Sequence, residues 1–205
     1  MRILFYGDSN TYGYQPGGGR LPKEERYPQI VAQQLGLADI VEAGLNGRNA
    51  AFAASGEPEL LGGATFRQVM LDAGQVDVVT IMLGTNDLFP PIEADAATIA
   101  ANMGRMARIA EELNPKVQVI LMAPVPISKS GMHFSIYVYG GNKTLLEQDL
   151  AQAISNVAKE LGVHFFDAGQ AVPEADAEDG IHLTAKANQA IGLALAAKLR
   201  ALGLD

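Results

Sequence analysis

The chain contains 205 residues, of which 48% are hydrophobic and 19% are charged, so it is long enough for one substantial core and typical of a globular protein. Its 15 basic and 23 acidic side chains give a net charge of −8, which would repel the phosphates of nucleic acids and of anionic membranes. It contains no cysteine, which excludes disulfides and thiolate catalysis and leaves three histidines for imidazole chemistry.

The start of the sequence indicates neither a secretory signal nor a membrane anchor. The apolar run at residues 3–6 is too short for the core of a signal peptide. No other run approaches the ~18 apolar residues that a membrane helix needs. We therefore expect a cytoplasmic protein that binds neither a membrane nor nucleic acid.

Short apolar segments alternate with longer segments of helical periodicity, which predicts βαβ units on a parallel sheet. The predicted strands cover residues 2–6, 39–42, 76–83, 117–123 and 164–167. Their Val, Ile and Leu content without polar alternation favours strands that are buried on both faces.

Helical patterns occupy most of the sequence between the predicted strands. One helix has Pro28 in its first turn and ends near Gly36, two more cover residues 99–113 and 146–161, and a last one is capped by Thr184. The sequence thus predicts one domain over residues 1–205, with about five helices around five strands. The expected fold class is α/β, a three-layer α/β/α sandwich of flavodoxin-like size.

Three long segments without periodicity are predicted loops, at residues 15–26, 51–63 and 124–142. Long loops in a compact domain usually have a function. The third is rich in proline, glycine and aromatic residues, which favours a role in walling or covering a pocket.

Polar residues follow the predicted strands at their carboxyl ends, the edge where open α/β sheets bind ligands. Residues 7–10 follow the first strand, 43–49 the second and 84–87 the third, while 179–182 come after the fifth strand and a short loop. Together they supply a hydroxyl, backbone amides, an amide side chain and a carboxylate beside an imidazole. These are the groups that acyl transfer needs.

Ser9 and His182 are the candidate nucleophile and base, because a serine hydroxyl reacts only when a base takes its proton. Asp179, three residues before His182, is suited to hold the other ring nitrogen and so to orient the imidazole. Taken singly, such residues are common in turns and helix caps. Their combination at one edge of a sheet favours catalysis.

The same segments resemble the blocks of the SGNH or GDSL hydrolase superfamily. The matching residues are Gly7-Asp8-Ser9, Gly47, Gly84-Thr85-Asn86-Asp87 and Asp179-Gly180-Ile181-His182. They occur in order along nearly the whole chain, and their surroundings look most like the bacterial arylesterase and acyltransferase branch. The resemblance implies the flavodoxin-like SGNH hydrolase fold and a serine esterase or acyltransferase that acts on small acyl esters through a covalent acyl-enzyme, without a cofactor.

The resemblance also assigns roles to single residues of this sequence. It implies that Ser9 is the nucleophile, His182 the base and Asp179 the group that orients the base. It further implies an oxyanion hole that is formed by the backbone N–H groups of Ser9 and Gly47 and by the side chain of Asn86.

The resemblance also places three side chains around the serine as substrate-binding residues: Asn10, Tyr12 and Ile181. Asn10 and Tyr12 stand where the arylesterase branch typically has leucine and tryptophan, and Asn46-Gly47 stand where it often has Ser-Ala. These departures leave the catalytic roles unchanged and bear on the shape of the acyl and alcohol pockets. We expect a narrow acyl side and a preference for small acyl groups.

The remaining chemical groups have simpler interpretations. His164 is predicted to be a core or strand-end residue, and His133 a pocket wall or interface residue. Asp8 and Asp87 are predicted to brace turns. Residues 17–20 lack the Lys-Ser/Thr pair of a phosphate loop and favour a flexible loop, and no grouping of carboxylates and histidines indicates a metal.

Three alternatives remain open at this point. An acyl thioesterase or a carbohydrate deacetylase would use the same serine chemistry. A flavodoxin-like module that binds a small ligand is the non-enzymatic alternative. The resemblance to the acyltransferase branch and the apolar content of residues 124–142 also predict a homo-oligomer, since a partner or a lid would bury that surface.

Overall fold

The computed structural model of the protein describes residues 1–54 and 57–205. Within these residues, five parallel strands form one sheet: β1 (Ile3–Gly7), β2 (Ile40–Gly44), β3 (Val78–Met82), β4 (Gln118–Ala123) and β5 (His164–Asp167). Their order across the sheet is β2-β1-β3-β4-β5. From β1 the chain first adds β2 on one side and then β3, β4 and β5 on the other. The strand order therefore reverses between β1 and β3, and sheets of this kind bind ligands at the carboxyl ends of the two strands beside that point.

Helices cover both faces of this sheet. They are α1 (Ser9–Tyr12), α2 (Tyr27–Leu35), α3 (Gly62–Ala73), α4 (Ala96–Leu113), α5 (Lys129–Tyr139), α6 (Lys143–Leu146), α7 (Leu150–Leu161), α8 (Ala168–Ala171) and α9 (Ala185–Ala201). Helices α3, α4 and α7 bury apolar side chains against one face, and α2 and α9 against the other. This confirms the predicted three-layer α/β/α fold. In the part of the chain that the structure describes, no helix is both long and apolar enough to cross a membrane.

The predicted burial of both strand faces holds for the middle of the sheet and not for its edges. β1 and β3 are buried throughout, whereas every residue of β2 is only half-buried. The cause is position, since an edge strand has a neighbour on one side only. β2 also runs two residues beyond its predicted end, because Ala43 and Gly44 pair with Tyr6 and Gly7 of β1.

The prediction of a loop over residues 124–142 was wrong, because α5 lies inside it. The Ser128 hydroxyl caps this helix by accepting from the N–H of Gly131 at 3.1 Å, and Gly140 ends it with φ 68°. The proline, glycine and aromatic content of the segment obscured these two signals. Helix α5 exposes three large apolar side chains: Phe134 (41%), Tyr137 (89%) and Val138 (56%).

Two further helices differ from the predicted boundaries. The helix predicted over 146–161 is interrupted, because Leu146 ends α6 and the Asp149 carboxylate starts α7 by accepting from the N–H of Gln152 at 2.9 Å. Helix α3 begins at Gly62, inside the predicted loop 51–63, without a side-chain cap. A helix that starts on two glycines and no cap gives little N-terminal signal in sequence.

Candidate active site

Ser9 is the first residue of α1, directly beyond the end of β1. The Asp8 carboxylate caps this one-turn helix by accepting from the N–H of Asn10 at 2.9 Å. The helix lies against the end of β2, where a Cβ on Gly44 would come within 2.3 Å of the Tyr12 backbone nitrogen. Glycine at this position therefore lets α1 pack closely enough to hold Ser9 at the sheet edge.

A chain of hydrogen bonds joins Ser9 to His182 and Asp179. The distance from Ser9 Oγ to His182 Nε2 is 3.0 Å, and the distance from His182 Nδ1 to Asp179 Oδ2 is 2.6 Å. Because a carboxylate can only accept, Nδ1 carries the proton and Nε2 of the neutral ring is left to accept from the Ser9 hydroxyl. The arrangement is able to move the hydroxyl proton from Ser9 to His182.

The Asp179 carboxylate is held in place by its own segment. Oδ1 accepts from the backbone N–H groups of Ile181 at 2.9 Å and His182 at 3.0 Å. Burial alone would raise the pKa of Asp179. The hydrogen bonds from the His182 ring and from these two N–H groups together have a larger, opposite effect, so the pKa lies below its usual value. The carboxylate therefore stays ionised at neutral pH, as its contact with the ring requires.

The three predicted oxyanion donors lie together near the Ser9 hydroxyl, where Ser9, Gly47 and Asn86 line one cavity with His182. The N–H of Ser9 is in the first turn of α1, whose leading N–H groups have no partner within the helix. Gly47 adopts φ 78°, a conformation that favours glycine. The Asn86 amide donates one N–H to the carbonyl of Arg48 at 2.9 Å, which leaves its second N–H for a ligand.

The loops that follow β2 and β3 are joined by two contacts, which we call the loop clasp. One is the Asn86–Arg48 hydrogen bond, and in the other both carboxylate oxygens of Asp87 accept from the N–H of Ala50, at 2.8 and 2.9 Å. The Arg48 guanidinium, only 6% exposed, donates to the carbonyl of Gly7 at 3.0 Å and so ties the clasp to the end of β1. Asp87 thus joins two loops, whereas the sequence predicted that it braces its own turn.

Two carboxyls lie buried beneath this site. Burial raises the pKa of Asp8 to about 6 and that of Asp87 to about 7. One oxygen of Asp8 has no hydrogen-bond partner among the described residues. Both groups therefore change charge in the pH range in which histidine also titrates.

Two cavities meet at Gly47, Asn86 and His182. The larger, which we call the open cavity, has a volume of about 730 Å³ and includes Ser9. Its other walls come from the loop after α1, from α5 and from the segment before His182: Tyr14, Pro16, Phe134 and Glu178. The Tyr14 ring lies 4.6 Å from the His182 ring, so it covers one side of the imidazole.

The smaller cavity, which we call the narrow cavity, has a volume of about 300 Å³. Its walls are mostly apolar: Leu60, Leu61, Phe89, Pro90, Ile92 and Ile181. A Cβ placed on Gly47 would lie 3.4 Å from a Leu60 methyl group, so Leu60 lies directly beside this predicted oxyanion donor. The structure thus offers two spaces of different size and polarity, which meet at Gly47, Asn86 and His182.

Of the three expected substrate-binding residues, one lines a cavity and two do not. Ile181 lines the narrow cavity. Asn10 and Tyr12 line neither of the two cavities. The Asn10 amide is buried and donates to the Ile181 carbonyl at 3.4 Å, while the Tyr12 ring lies 4.2 Å from the guanidinium of Arg20. Because α1 directs both side chains into other contacts, neither narrows the acyl side as the sequence led us to expect.

Sequence reasoning did not single out Tyr14, Arg48 or Glu178, nor the apolar walls of the narrow cavity. Phe134 belongs to segment 124–142, which the sequence predicted to wall or cover a pocket. Arg48 and Glu178 adjoin recognised blocks, and that adjacency is the only signal they give. Tyr14 forms an isolated bridge with Arg20, so the predicted loop 15–26 folds back on itself above the site. Of the other histidines, His164 begins β5 as predicted, and His133 is exposed on α5 and lines neither cavity.

Comparison with known proteins agrees with this geometry. Residues 5–190 match the model of the GDSL-like lipase/acylhydrolase family. The chain belongs to this family. It is a carboxylic ester hydrolase with the SGNH fold, which confirms the resemblance seen in the sequence and does not support the alternative of a non-enzymatic binding module.

Solved structures extend this result over the whole chain. Est24, a carbohydrate acetylesterase from Sinorhizobium meliloti, is 29% identical, with a TM-score of 0.88 over 98% of this chain and 99% of that one. The aryl esterase of M. smegmatis is 30% identical, with a TM-score of 0.87 over the same shares of the two chains. A second carbohydrate acetylesterase family member from S. meliloti is 27% identical, with a TM-score of 0.83 over 98% of each chain. The comparison with curated proteins gave no match.

Proposed function

We propose that this hydrolase cleaves short acyl esters through a Ser9-His182-Asp179 triad and a covalent acyl-enzyme. The observation that supports this most strongly is the hydrogen-bonded chain from Asp179 through His182 to Ser9, which ends in a cavity lined by Gly47 and Asn86. A fixed base, a hydroxyl and oxyanion donors in one place are the parts that acyl transfer needs.

The steps follow from these positions. Ser9 Oγ attacks the ester carbonyl while His182 Nε2 takes the hydroxyl proton, and the N–H groups of Ser9, Gly47 and Asn86 bind the oxyanion. His182 then returns the proton to the departing alcohol, which leaves Ser9 acylated. A water molecule then gives one proton to the same nitrogen and attacks the acyl carbon. The bond between that carbon and Ser9 Oγ breaks, His182 returns the proton to Ser9 Oγ, and the acid leaves.

We assign the acyl group to the narrow cavity and the alcohol to the open cavity. The walls of the narrow cavity are apolar, which suits a short hydrocarbon chain, whereas the open cavity is more than twice as large and includes polar groups. The similar structures include an aryl esterase and a carbohydrate acetylesterase, two kinds of enzyme whose names indicate different alcohols in the ester. The larger volume of the open cavity agrees with a bulky alcohol of this kind.

Esters of acetate to butyrate are expected to react faster than longer esters. Each methylene that fits contributes about 0.8 kcal/mol of burial, and one that does not fit costs about as much or more in strain. In a series of p-nitrophenyl esters from acetate to decanoate, kcat/KM should fall beyond butyrate. A maximum at octanoate or longer would contradict the assignment of the narrow cavity.

A variant of Leu60 tests the same assignment from the protein side. Leu60→Ala removes the wall beside Gly47 and should move the optimum to longer acyl chains. Leu71→Ala is the matched control, because Leu71 is 54% exposed on α3 and lines neither cavity. An unchanged chain-length profile in Leu60→Ala would mean that the acyl group binds elsewhere.

The covalent intermediate is testable by mass. Incubation with an organophosphate, followed by digestion and mass spectrometry, should locate one adduct on the peptide that contains Ser9. An adduct on another serine, or rapid turnover of p-nitrophenyl acetate by fully phosphorylated protein, would exclude the triad mechanism.

An acyl thioesterase would give the same adduct, so parallel assays of acetyl esters and acetyl thioesters of matched leaving groups distinguish the two.

Acyl transfer to an alcohol is a second proposed outcome of the same intermediate. Phe134 of α5 lines the open cavity, and an apolar wall there favours a hydrophobic acceptor over water. Benzyl alcohol added to the reaction should give benzyl acetate beside free acetate. Free acid alone would limit the enzyme to hydrolysis.

Activity is expected to rise with pH, because His182 accepts a proton only as the neutral ring. The lowered pKa of Asp179 keeps that carboxylate ionised down to acidic pH, so it does not cause a rise near neutral pH. The profile of kcat/KM for p-nitrophenyl acetate measures this dependence. A flat profile with rate-limiting chemistry would argue against His182 as the base.

Asp8 and Asp87 must be separated from His182 in that profile, since burial places their pKa values at about 6 and about 7. Asp8→Asn and Asp87→Asn keep an acceptor oxygen and remove the titration. The inflection should persist in both variants if it belongs to His182. Its loss in either would assign the pH dependence to the buried carboxyl.

We retain a cytoplasmic location and a homo-oligomer as proposals. The apolar side chains that α5 exposes support the second, since Tyr137 is 89% exposed and a partner copy would bury it.

A further inference from the structure

The charged side chains on the walls of the two cavities all belong to acids, apart from His182. They are Glu178 and Asp179 in the open cavity and Glu57 in the narrow cavity. Among the described residues that line these cavities there is neither lysine nor arginine. A ligand beside Ser9 therefore meets negative charge on both sides.

Of the two acids in the open cavity, Glu178 is the one whose charge has no compensating partner among the described residues. It is exposed, and it forms no ion pair within residues 1–54 and 57–205. Asp179, by contrast, is bonded to the His182 ring. Lys129 begins α5 close to this segment, because the N–H of Ser128 donates to the carbonyl of Gly180, yet Lys129 lines neither cavity and makes no ion pair with Glu178.

The arginines around the site are bound to other groups. Arg20 and Arg26 each lie 3.1 Å from the Glu42 carboxylate on β2, which offsets much of their charge. Arg48 is almost fully buried and donates to backbone carbonyls. Esters that bear a carboxylate, sulfonate or phosphate therefore find no cation to pair with at the cavity walls.

We infer that the open cavity selects substrates by charge, and that Glu178 disfavours anionic alcohols and favours neutral or cationic ones. This inference rests on the proposed function and narrows its substrate class to short acyl esters of uncharged or cationic alcohols. It disfavours phosphate-bearing acyl thioesters as substrates. The charge acts over a few ångströms through water, so it affects capture of the substrate more than the chemistry of Ser9.

The test compares three acetates of similar shape at low ionic strength. Their alcohols carry a trimethylammonium, a tert-butyl or a sulfonate group on the same two-carbon chain: acetylcholine, 3,3-dimethylbutyl acetate and 2-acetoxyethanesulfonate. The measured quantity is the ratio of kcat/KM for the cation to kcat/KM for the anion. Comparing this ratio between variants cancels the intrinsic reactivity of each ester.

Glu178→Gln should lower the cation-to-anion ratio by about three- to tenfold, the size expected for one exposed charge at short range. The change should shrink at high salt. Glu160→Gln is the matched control, because it removes the same charge from an exposed position far from the proposed site. Glu160 lies near the end of α7, just before β5 begins, and so at the amino ends of the strands.

The outcomes separate this inference from the proposed function. Hydrolysis of 3,3-dimethylbutyl acetate that requires Ser9 would support the proposed function by itself. An equal ratio in Glu178→Gln and Glu160→Gln, or a wild-type protein that prefers the sulfonate after correction for intrinsic reactivity, would overturn the charge selection. Absence of hydrolysis of all three esters and of p-nitrophenyl acetate would overturn both.

Discussion

Ser9→Ala is expected to lower esterase turnover by about 10⁴ to 10⁶-fold, because the covalent route disappears and the oxyanion donors alone give limited help. The 3.0 Å contact between Ser9 Oγ and His182 Nε2 is the reason to expect so large an effect. Turnover of p-nitrophenyl acetate and the yield of organophosphate adduct measure it. Both should fall together, since they depend on the same oxygen.

A second serine variant distinguishes loss of the nucleophile from loss of the fold. Ser155→Ala makes the same chemical change in α7, at a residue that lines neither cavity, and should keep wild-type turnover. Circular dichroism should be the same for both variants. Near-native turnover by Ser9→Ala would remove Ser9 from the mechanism.

Asn86→Ala is expected to reduce kcat by about 10² to 10³-fold, the usual effect of removing one oxyanion donor, with a smaller change in KM. One N–H of the amide is bound to the Arg48 carbonyl, which leaves the other for the oxyanion in the proposed mechanism. Steady-state kinetics with p-nitrophenyl acetate measure the split between kcat and KM.

The control must remove a comparable hydrogen bond between an asparagine amide and a backbone carbonyl, but at a position away from the cavities. Asn114 also donates from its amide to a backbone carbonyl, that of Val76, at 3.0 Å, and it lies beyond the end of α4 at the opposite edge of the sheet. Asn114→Ala should therefore cost stability and leave kcat nearly unchanged. If Asn86→Ala affects unfolding in the same way and spares kcat, Asn86 is a structural residue.

The features that could be predicted from the sequence are those that depend on a strand and on the few residues that follow it. The five strands, the ends at which polar residues cluster and the Ser9, Asp179 and His182 candidates could be predicted because parallel strands bring their carboxyl ends to one edge. Ile181 could also be placed, since it lies between Asp179 and His182.

Features that depend on how loops return to the sheet could not be predicted. Tyr14 contacts His182 only because residues 15–26 fold back, and a pattern in sequence does not encode that contact. Asn10 and Tyr12 were expected to face the substrate, but the direction of their side chains is set by one turn of helix. The α5 segment was obscured because its helix is defined by two caps more than by its composition.

The loop clasp makes residues 46–50 and 84–87 energetically dependent on each other. Because Asn86 is aimed by Arg48, and Ala50 is held by Asp87, a substitution on one loop displaces the contact that the other loop needs. Effects of paired substitutions across the clasp should therefore be non-additive, with the second costing less once the first has broken the contact. During divergence the two segments are expected to change together as one inherited unit, while the cavity walls outside them remain free to vary separately.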